Sequence, residues 1–80
     1  MKIRLRAFGI ARDILKSGVV ELDEDQIQTT GDVKSYLSKA YPEFDDLLTF
    51  SLAVRDEYQE DDYMLAENDE VIVIPPVSGG

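Results

Sequence analysis

The residues with the clearest chemical potential are the last three, Ser78-Gly79-Gly80, which follow a hydrophobic run, Val71-Ile72-Val73-Ile74, and a proline pair, Pro75-Pro76. A carboxylate carried on bare glycine can enter a slot too narrow for any residue with a Cβ. Fully extended, Pro75 to Gly80 spans roughly 20 Å at about 3.3 Å per residue. A carboxylate is a poor acyl donor, because oxide is a poor leaving group. Converted to a mixed anhydride with a nucleotide phosphate it gains a good one, and a sulfur nucleophile can then displace the nucleotide. The resulting thiocarboxylate is a soft nucleophile, largely ionised at neutral pH. This chemistry asks of the chain only a free, thin, extended acyl end. A partner would bring the nucleotide site and the catalytic groups. The dipeptide alone fits a frayed end equally well, so the remaining residues must decide.

Competing chemistry is scarce. The 80 residues include no Cys and no His, which excludes disulfides, thiol catalysis, the usual zinc sites and an imidazole base. Asp23-Glu24-Asp25, Asp45-Asp46 and Asp61-Asp62 fall in predicted turns without the spacing of a calcium loop, and read as solubilising surface. Gly9 and Gly18 are isolated and belong to no phosphate-binding motif. The net charge of −9 argues against nucleic acid, which needs clustered Lys and Arg, and points towards a basic protein partner. Arg55 is the last basic residue; Asp56, Glu57, Glu60, Asp61, Asp62, Glu67, Asp69 and Glu70 follow it. That run reads first as a solvated acidic edge. Its alternative is a docking surface that steers a basic partner towards the tail.

The elements that must position the tail follow from periodicity. Ile3, Leu5 and Ala7 alternate with Lys2, Arg4 and Arg6, the pattern of a half-buried strand, and Phe8 falls on the charged face. Ile10, Ala11, Ile14 and Leu15 predict a short helix that stops at Ser17-Gly18. Val19, Val20 and Leu22 predict a second strand, ended by Asp23-Glu24-Asp25. The spacing of Val33, Tyr36, Leu37, Ala40 and Tyr41 predicts the main helix over 30–41, capped by Thr29 or Thr30 and stopped by Pro42, with its tyrosines in the core. Leu47, Leu48 and Phe50 read as a hydrophobic plug. Residues 51–55 predict a third strand, Tyr58-Gln59 a very short fourth, and Tyr63-Met64-Leu65 a turn capping the core. Val71 to Ile74 is apolar on both faces, as a central strand should be. These elements make an α+β domain, a mixed sheet packed on one main helix plus short helices. The expected organisation is a single domain over 1–76 with a flexible Gly-Gly tail over 77–80. No apolar stretch approaches a membrane span and the N-terminus lacks the apolar run of a signal peptide, so the cytoplasm is the expected location.

With those residues in view, nearly the whole chain resembles the small subunit of molybdopterin synthase, the MoaD group of ubiquitin-like β-grasp sulfur carriers. The resemblance rests on the Pro75-Pro76-Val77-Ser78-Gly79-Gly80 ending, on Phe8-Gly9-x-x-Arg12, on Thr29-Thr30 and on Ala53-Val54. It implies that Gly80 is adenylated by an E1-like, MoeB-type enzyme using ATP, then converted to a thiocarboxylate. It further implies that Pro75, Pro76, Val77, Ser78 and Gly79 insert into a MoaE-type large subunit. There the sulfur would attack cyclic pyranopterin monophosphate (precursor Z), on the way to a dithiolene. Phe8, Tyr58 and Ile74 align with a partner-facing apolar patch, although the family often has an aromatic at 74 and an aliphatic at 58. No cofactor or metal is expected on this chain, and the acid–base residues are expected on the partner. Sulfur carriers for thiamine or tRNA thiolation, and modifiers conjugated through Gly80, share the Gly-Gly ending and are the alternatives.

Overall fold

The computed structural model describes residues 1–46 and 50–74. Leu47 and Leu48 of the expected plug, and the tail from Pro75 to Gly80, lie outside the described residues. The first strand, β1 (Lys2–Ala7), buries every second residue, as its alternation requires. A seven-residue helix, α1 (Gly9–Leu15), leads into β2 (Val19–Asp23). The main helix, α2 (Thr30–Ala40), is followed by a 3-10 turn at Pro42–Asp46. Three strands complete the chain: β3 (Ser51–Val54), β4 (Glu57–Tyr58) and β5 (Glu70–Ile74).

The strands form one sheet in the order β2-β1-β5-β3-β4. β1 and β5 are parallel, and the other three pairings are antiparallel. β5 is thus central, hydrogen-bonded along both edges, as its two apolar faces predict. Its inward residues, Val71 and Val73, join Ile3, Leu5, Leu52, Val54, Val33 and Leu37 in a core where each is fully buried. Burying a side chain of this size is worth about 1.5–3 kcal/mol.

Two details of the core depart from the sequence reading. Ile10 is 49% exposed, so α1 anchors through the buried Ala11 and Leu15, with Ile14 half-buried against the same core. The helix itself ends as expected, just before Ser17-Gly18, with Lys16 in the left-handed conformation (φ 61°) as its C-cap. The plug, in turn, is centred on Phe44, 1% exposed, with Tyr41 and Phe50 packed edge-on and tilted against its ring at 6.3 and 5.1 Å. Phe44 sits in a 3-10 turn, outside any helical or strand period, and the sequence reading passed over it. In the turn that follows β4, Leu65 is buried as expected, but Met64 points outward, 63% exposed.

The start of α2 is held with unusual completeness. A helix leaves its first four N–H groups without internal partners. Here the Thr30 and Gly31 amides donate to the carbonyls of Tyr63 and Asp61 at 3.1 and 2.8 Å. Asp32 N–H donates to Thr29 Oγ1 at 3.1 Å, and Val33 N–H to the Thr29 carbonyl at 3.2 Å. In return the Asp32 carboxylate accepts from the Thr29 and Gln28 amides at 3.0 and 2.9 Å, closing a capping box. The Thr30 hydroxyl donates to the Glu60 carbonyl, and Lys34 Nζ to Asp61 at 2.7 Å. Gly31 permits this approach, since a Cβ there would stand 2.9 Å from the Asp61 carbonyl oxygen.

Local backbone and charge give three expected outcomes. The β3–β4 turn places Arg55 and Asp56 at φ 55° and 67°, a conformation that costs about 1 kcal/mol or more for a residue with a Cβ. Asp56→Gly should raise unfolding stability by roughly 0.5–1 kcal/mol in urea melts. The Gln28 and Thr29 amides hold the Asp32 carboxyl below its ordinary range, against an opposing contribution from burial. Its stabilisation is therefore fully present above the unfolded carboxylate value of about 3.9 and fades as pH falls through the lower folded value. Denaturation across an acid series should show the wild-type advantage over Asp32→Asn shrinking below about pH 4. Thr29→Ala should cost about 1 kcal/mol at neutral pH.

Candidate functional site

Because β1 and β5 run in parallel, both end at the same margin of the sheet. Ala7 lies beside Val73, so the next residues, Phe8 and Ile74, emerge side by side. Phe8 is extended (φ −133°, ψ 161°) and 56% exposed. Ile74 is half-buried on the face opposite the core. Pairing registers then define the open face of the sheet row by row. One row crosses all five strands as Val19, Arg6, Ile72, Ala53 and Tyr58. The row nearer the strand ends holds Phe8, Ile74 and Ser51. Six of these side chains are aliphatic or aromatic, and Tyr58 is 69% exposed.

The opposite half of the same face is charged. Glu21, Arg4 and Glu70 share a row, and Asp23 and Lys2 the next. Glu21 lies 3.6 Å from Lys2 and 3.7 Å from Arg4, while Arg6 reaches Glu70 at 3.9 Å. These half-exposed pairs contribute at most about 1 kcal/mol each. The face is therefore graded, from ion pairs where β5 begins to an apolar band where it ends.

The acidic run after Arg55 divides between the two margins of the sheet. Asp69 is nine-tenths buried at the start of that strand, accepting from the Ala66 amide at 2.8 Å and pairing with Arg55 at 3.4 Å. Glu67 accepts the Lys2 amide at 2.8 Å, and the Asn68 amide donates to the Lys2 carbonyl at 2.7 Å. Asp61 holds Lys34, and Glu70 holds Arg6. Asp56 lies in the β3–β4 turn and Glu57 opens β4, both beside the start of β5, since Val54 pairs with Glu57 on one side and Val71 on the other. Asp56, Glu67, Asp69 and Glu70 thus stand where β5 begins, whereas Glu60 and Asp61 line a cavity with Ser51, the partner of Ile74, so the acidic residues follow both margins, as a solvated edge would, rather than gathering at one. Among the described residues no group of three or more acidic side chains is placed to hold a metal ion.

The structure brings Phe8, Tyr58 and Ile74, the residues of the expected patch, onto one face, and adds Ile72, Ala53 and Val19 between and beside them. The proposed sulfur-carrying Gly80 and the inserting residues Pro75 to Gly79 lie outside the described residues. Tyr36 is half-buried, packed against the core from the flank of α2; burial pushes its phenol up, helped by the nearby Glu24 and Tyr41.

A five-stranded mixed sheet grasping one main helix, with parallel first and last strands, is the ubiquitin-like β-grasp. Solved structures of that fold match the chain over its full length. Small archaeal modifier protein 1 from Haloferax volcanii is 24% identical, with a TM-score of 0.80 and all of both chains covered. The complex of subunits 1 and 2 of molybdopterin-converting factor from Helicobacter pylori contains a chain 21% identical, with a TM-score of 0.69 and all of both chains covered. A chain in the BexX/CysO complex from Amycolatopsis orientalis is 15% identical, with a TM-score of 0.71, covering 98% of this chain and 99% of that one. The sequence profile of the ThiS family matches residues 5–80. The chain belongs to the ThiS family, among the ubiquitin-like sulfur carriers and modifiers.

The graded face yields a separable mutation. Phe8→Ser and Tyr58→Ser remove exposed apolar surface, so each should change unfolding stability by less than about 0.5 kcal/mol in urea melts. Ile3→Ser, on the opposite parity of the same strand, should cost several times more.

Proposed function

We propose that the chain is the sulfur-carrying small subunit of a molybdopterin synthase. The observation that carries this reading is β5: the central strand, paired on both edges, runs directly into Pro75-Pro76-Val77-Ser78-Gly79-Gly80. A tail mounted on the most fully bonded strand has a fixed origin, and the proline pair has restricted φ angles that limit its sweep. In this reading a Gly80 carboxylate oxygen attacks the α-phosphorus of ATP in an E1-like, MoeB-type enzyme, and pyrophosphate leaves. A sulfur nucleophile then displaces AMP from the acyl adenylate to leave the thiocarboxylate. The apolar band of Phe8, Ile72, Ile74 and Tyr58 seats the body against a MoaE-type large subunit while the tail enters its active site. The sulfur attacks the cyclic pyranopterin monophosphate, an acyl–pterin link forms, and water releases the Gly80 carboxylate for another cycle. The large subunit supplies the acid–base groups.

Similarity to small archaeal modifier protein 1 favours a second reading, an isopeptide bond from Gly80 to a partner lysine. Both readings share the adenylate and part at the attacking atom, sulfur in one and amine nitrogen in the other.

Incubation with an active E1-like enzyme, ATP and a sulfur donor should shift the intact mass by one oxygen-to-sulfur exchange, localised to Gly80. Reconstitution with the synthase large subunit should then convert precursor Z. One residue added beyond Gly80, confirmed uncleaved, should leave the fold intact and abolish both steps. Retained transfer in that variant would sink the mechanism. Thiocarboxylate formation with turnover only by a thiamine or tRNA synthase would reassign the acceptor, and Gly80-dependent lysine adducts without sulfur transfer would favour the modifier reading.

A further inference from the structure

A second surface lies on the other side of the molecule from β4. β2 is an edge strand. The Ala7 amide donates to the Gly18 carbonyl at 3.0 Å, so in this antiparallel register Gly18, Val20 and Leu22 are the residues bonded to β1. The backbone groups of Val19, Glu21 and Asp23 point outward. Ser17 closes the first of these: its hydroxyl donates to the Val19 carbonyl at 2.7 Å and accepts the Val19 amide at 3.2 Å. The backbone groups of Glu21 and Asp23 have no hydrogen-bond partner among the described residues.

Beside this edge lies a groove of about 420 Å³, lined by Gln26, Asp32, Ser35, Tyr36, Lys39 and Ala40. The side chains at 32, 35, 36, 39 and 40 follow one flank of α2 at helical spacing. The other flank is occupied by Lys34 and its Asp61 partner, on the side of the segment after β4. The Tyr36 flank therefore faces the β2 side, with Gln26, three residues beyond the end of β2, forming one wall. Ala40 is exposed and Tyr36 half-buried, so the floor is partly apolar. Its rim is acidic: Glu21, Asp23 and Asp25 are exposed and Glu24 half-exposed, while Lys39 is the one cation among the lining residues.

We propose that the Glu21–Asp23 edge and the Tyr36–Ala40 groove together accept an extended cationic segment of a partner protein as a sixth strand. Side chains of an added strand alternate between two faces. On the helix side, apolar residues would lie over Tyr36 and Ala40. On the open side, Lys or Arg would stand next to Glu21 and Asp23, exposed carboxylates that Lys2, Arg4 and the N-terminal ammonium meet at only 3.6–3.7 Å, weak pairs that a neighbouring strand of opposite charge can replace. A second copy of this chain is a poor occupant: antiparallel pairing of β2 with β2 would set Glu21 and Asp23 against acidic residues of the same strand. The site uses neither Gly80 nor the apolar band and stands independently of the sulfur-carrier reading.

The test is an amide-shift titration of the isotopically labelled full chain with acetyl-Lys-Val-Arg-Val-Lys-Val-Arg-amide, alongside a peptide in which Glu replaces each basic residue. The cationic peptide should move the amides of Glu21, Asp23 and Tyr36 in one saturable process and slow exchange of the Glu21 and Asp23 amides. Its affinity should fall by about tenfold or more in the Glu21→Lys/Asp23→Lys variant, with circular dichroism confirming that the variant folds. Four outcomes would overturn the proposal: equal binding of the acidic peptide, no shifts at millimolar peptide, shifts confined to Phe8, Ile72 and Tyr58, or concentration-dependent self-association through β2. The acidic-peptide comparison uses wild-type protein and holds even if the double variant does not fold.

Discussion

The parallel pairing of the first and last strands is the constraint on which the rest of this structure depends. Parallel neighbours cannot be joined by a tight turn, so the chain between Ala7 and Glu70 must leave the sheet, cross it and return. Helix α2 lies on that crossing and covers one face, while β3 and β4 complete the sheet on the far side of β5. The same pairing brings Phe8 and Ile74 out at one margin and confines Lys2, Asp69 and Glu70 to the other. Arg4 N–H donates to the Asp69 carbonyl at 2.9 Å, so the ladder begins in the turn before β5. The left-handed Asn68 (φ 67°) lets the chain make that approach, a conformation Asn tolerates better than most residues.

A crossing element must be tied down at a defined place, and α2 is tied at its first turn. The segment from Glu60 to Leu65 supplies carbonyls to Thr30 and Gly31, a bridge between Met64 and Thr29, and an amide from Leu65 to the Gln28 carbonyl at 2.9 Å. Segments some thirty residues apart in sequence thus satisfy each other's backbone groups. That explains how a connection with little regular structure stays ordered between β4 and β5. It also explains why Gly31 stands inside a helix, where glycine ordinarily weakens it by up to about 1 kcal/mol relative to alanine: its missing Cβ is the space that the Asp61 carbonyl uses.

Much of this was legible in the chain itself, and the remainder fails for identifiable reasons. β1 shows its inner face because Lys2, Arg4 and Arg6 separate its hydrophobes, and α2 shows its cap because Thr29 precedes Asp32 by three residues. β5 reads as central because neither of its faces is polar. Period two, however, tells which face a residue takes and not which strand lies beside it. Ile72, Ala53 and Tyr58 form a row only once the register is known, so the sequence reading placed Tyr58 and Ile74 in a patch without the residues between them. Phe44 carries no periodic signal at all. Ile10 carries a misleading one, since a seven-residue helix has too few turns to bury every apolar residue that fits its stripe. The role of Asp69 depends on an Arg55 that only the β3–β4 turn brings within reach. For the candidate site, Phe8 was placed outside the core by parity alone, whereas the chemistry assigned to Gly80 rests on residue type and family resemblance.

The grading of the open face separates two physical tasks. Arg4, Arg6, Lys2, Glu21 and Glu70 pair with one another across the half where β5 begins, so the centre of the sheet there offers an approaching protein little net field, while the carboxylates along the β2 edge stay exposed. The pairs are also exposed enough that displacing them loses little. The apolar half offers area, at about 25 cal/mol for each Å² covered, and it lies where β5 delivers the chain to residue 75. Any protein that covers Phe8, Ile72 and Tyr58 is therefore positioned at the origin of the tail, and the energy of docking and the placement of the tail come from the same contact. In the sulfur-carrier reading proposed above, a partner seated there holds the body at the point from which Pro75 to Gly80 continue, so less freedom remains to be lost when that segment enters a narrow site. The position of the apolar rows at the end of the central strand thus matters more than their total area.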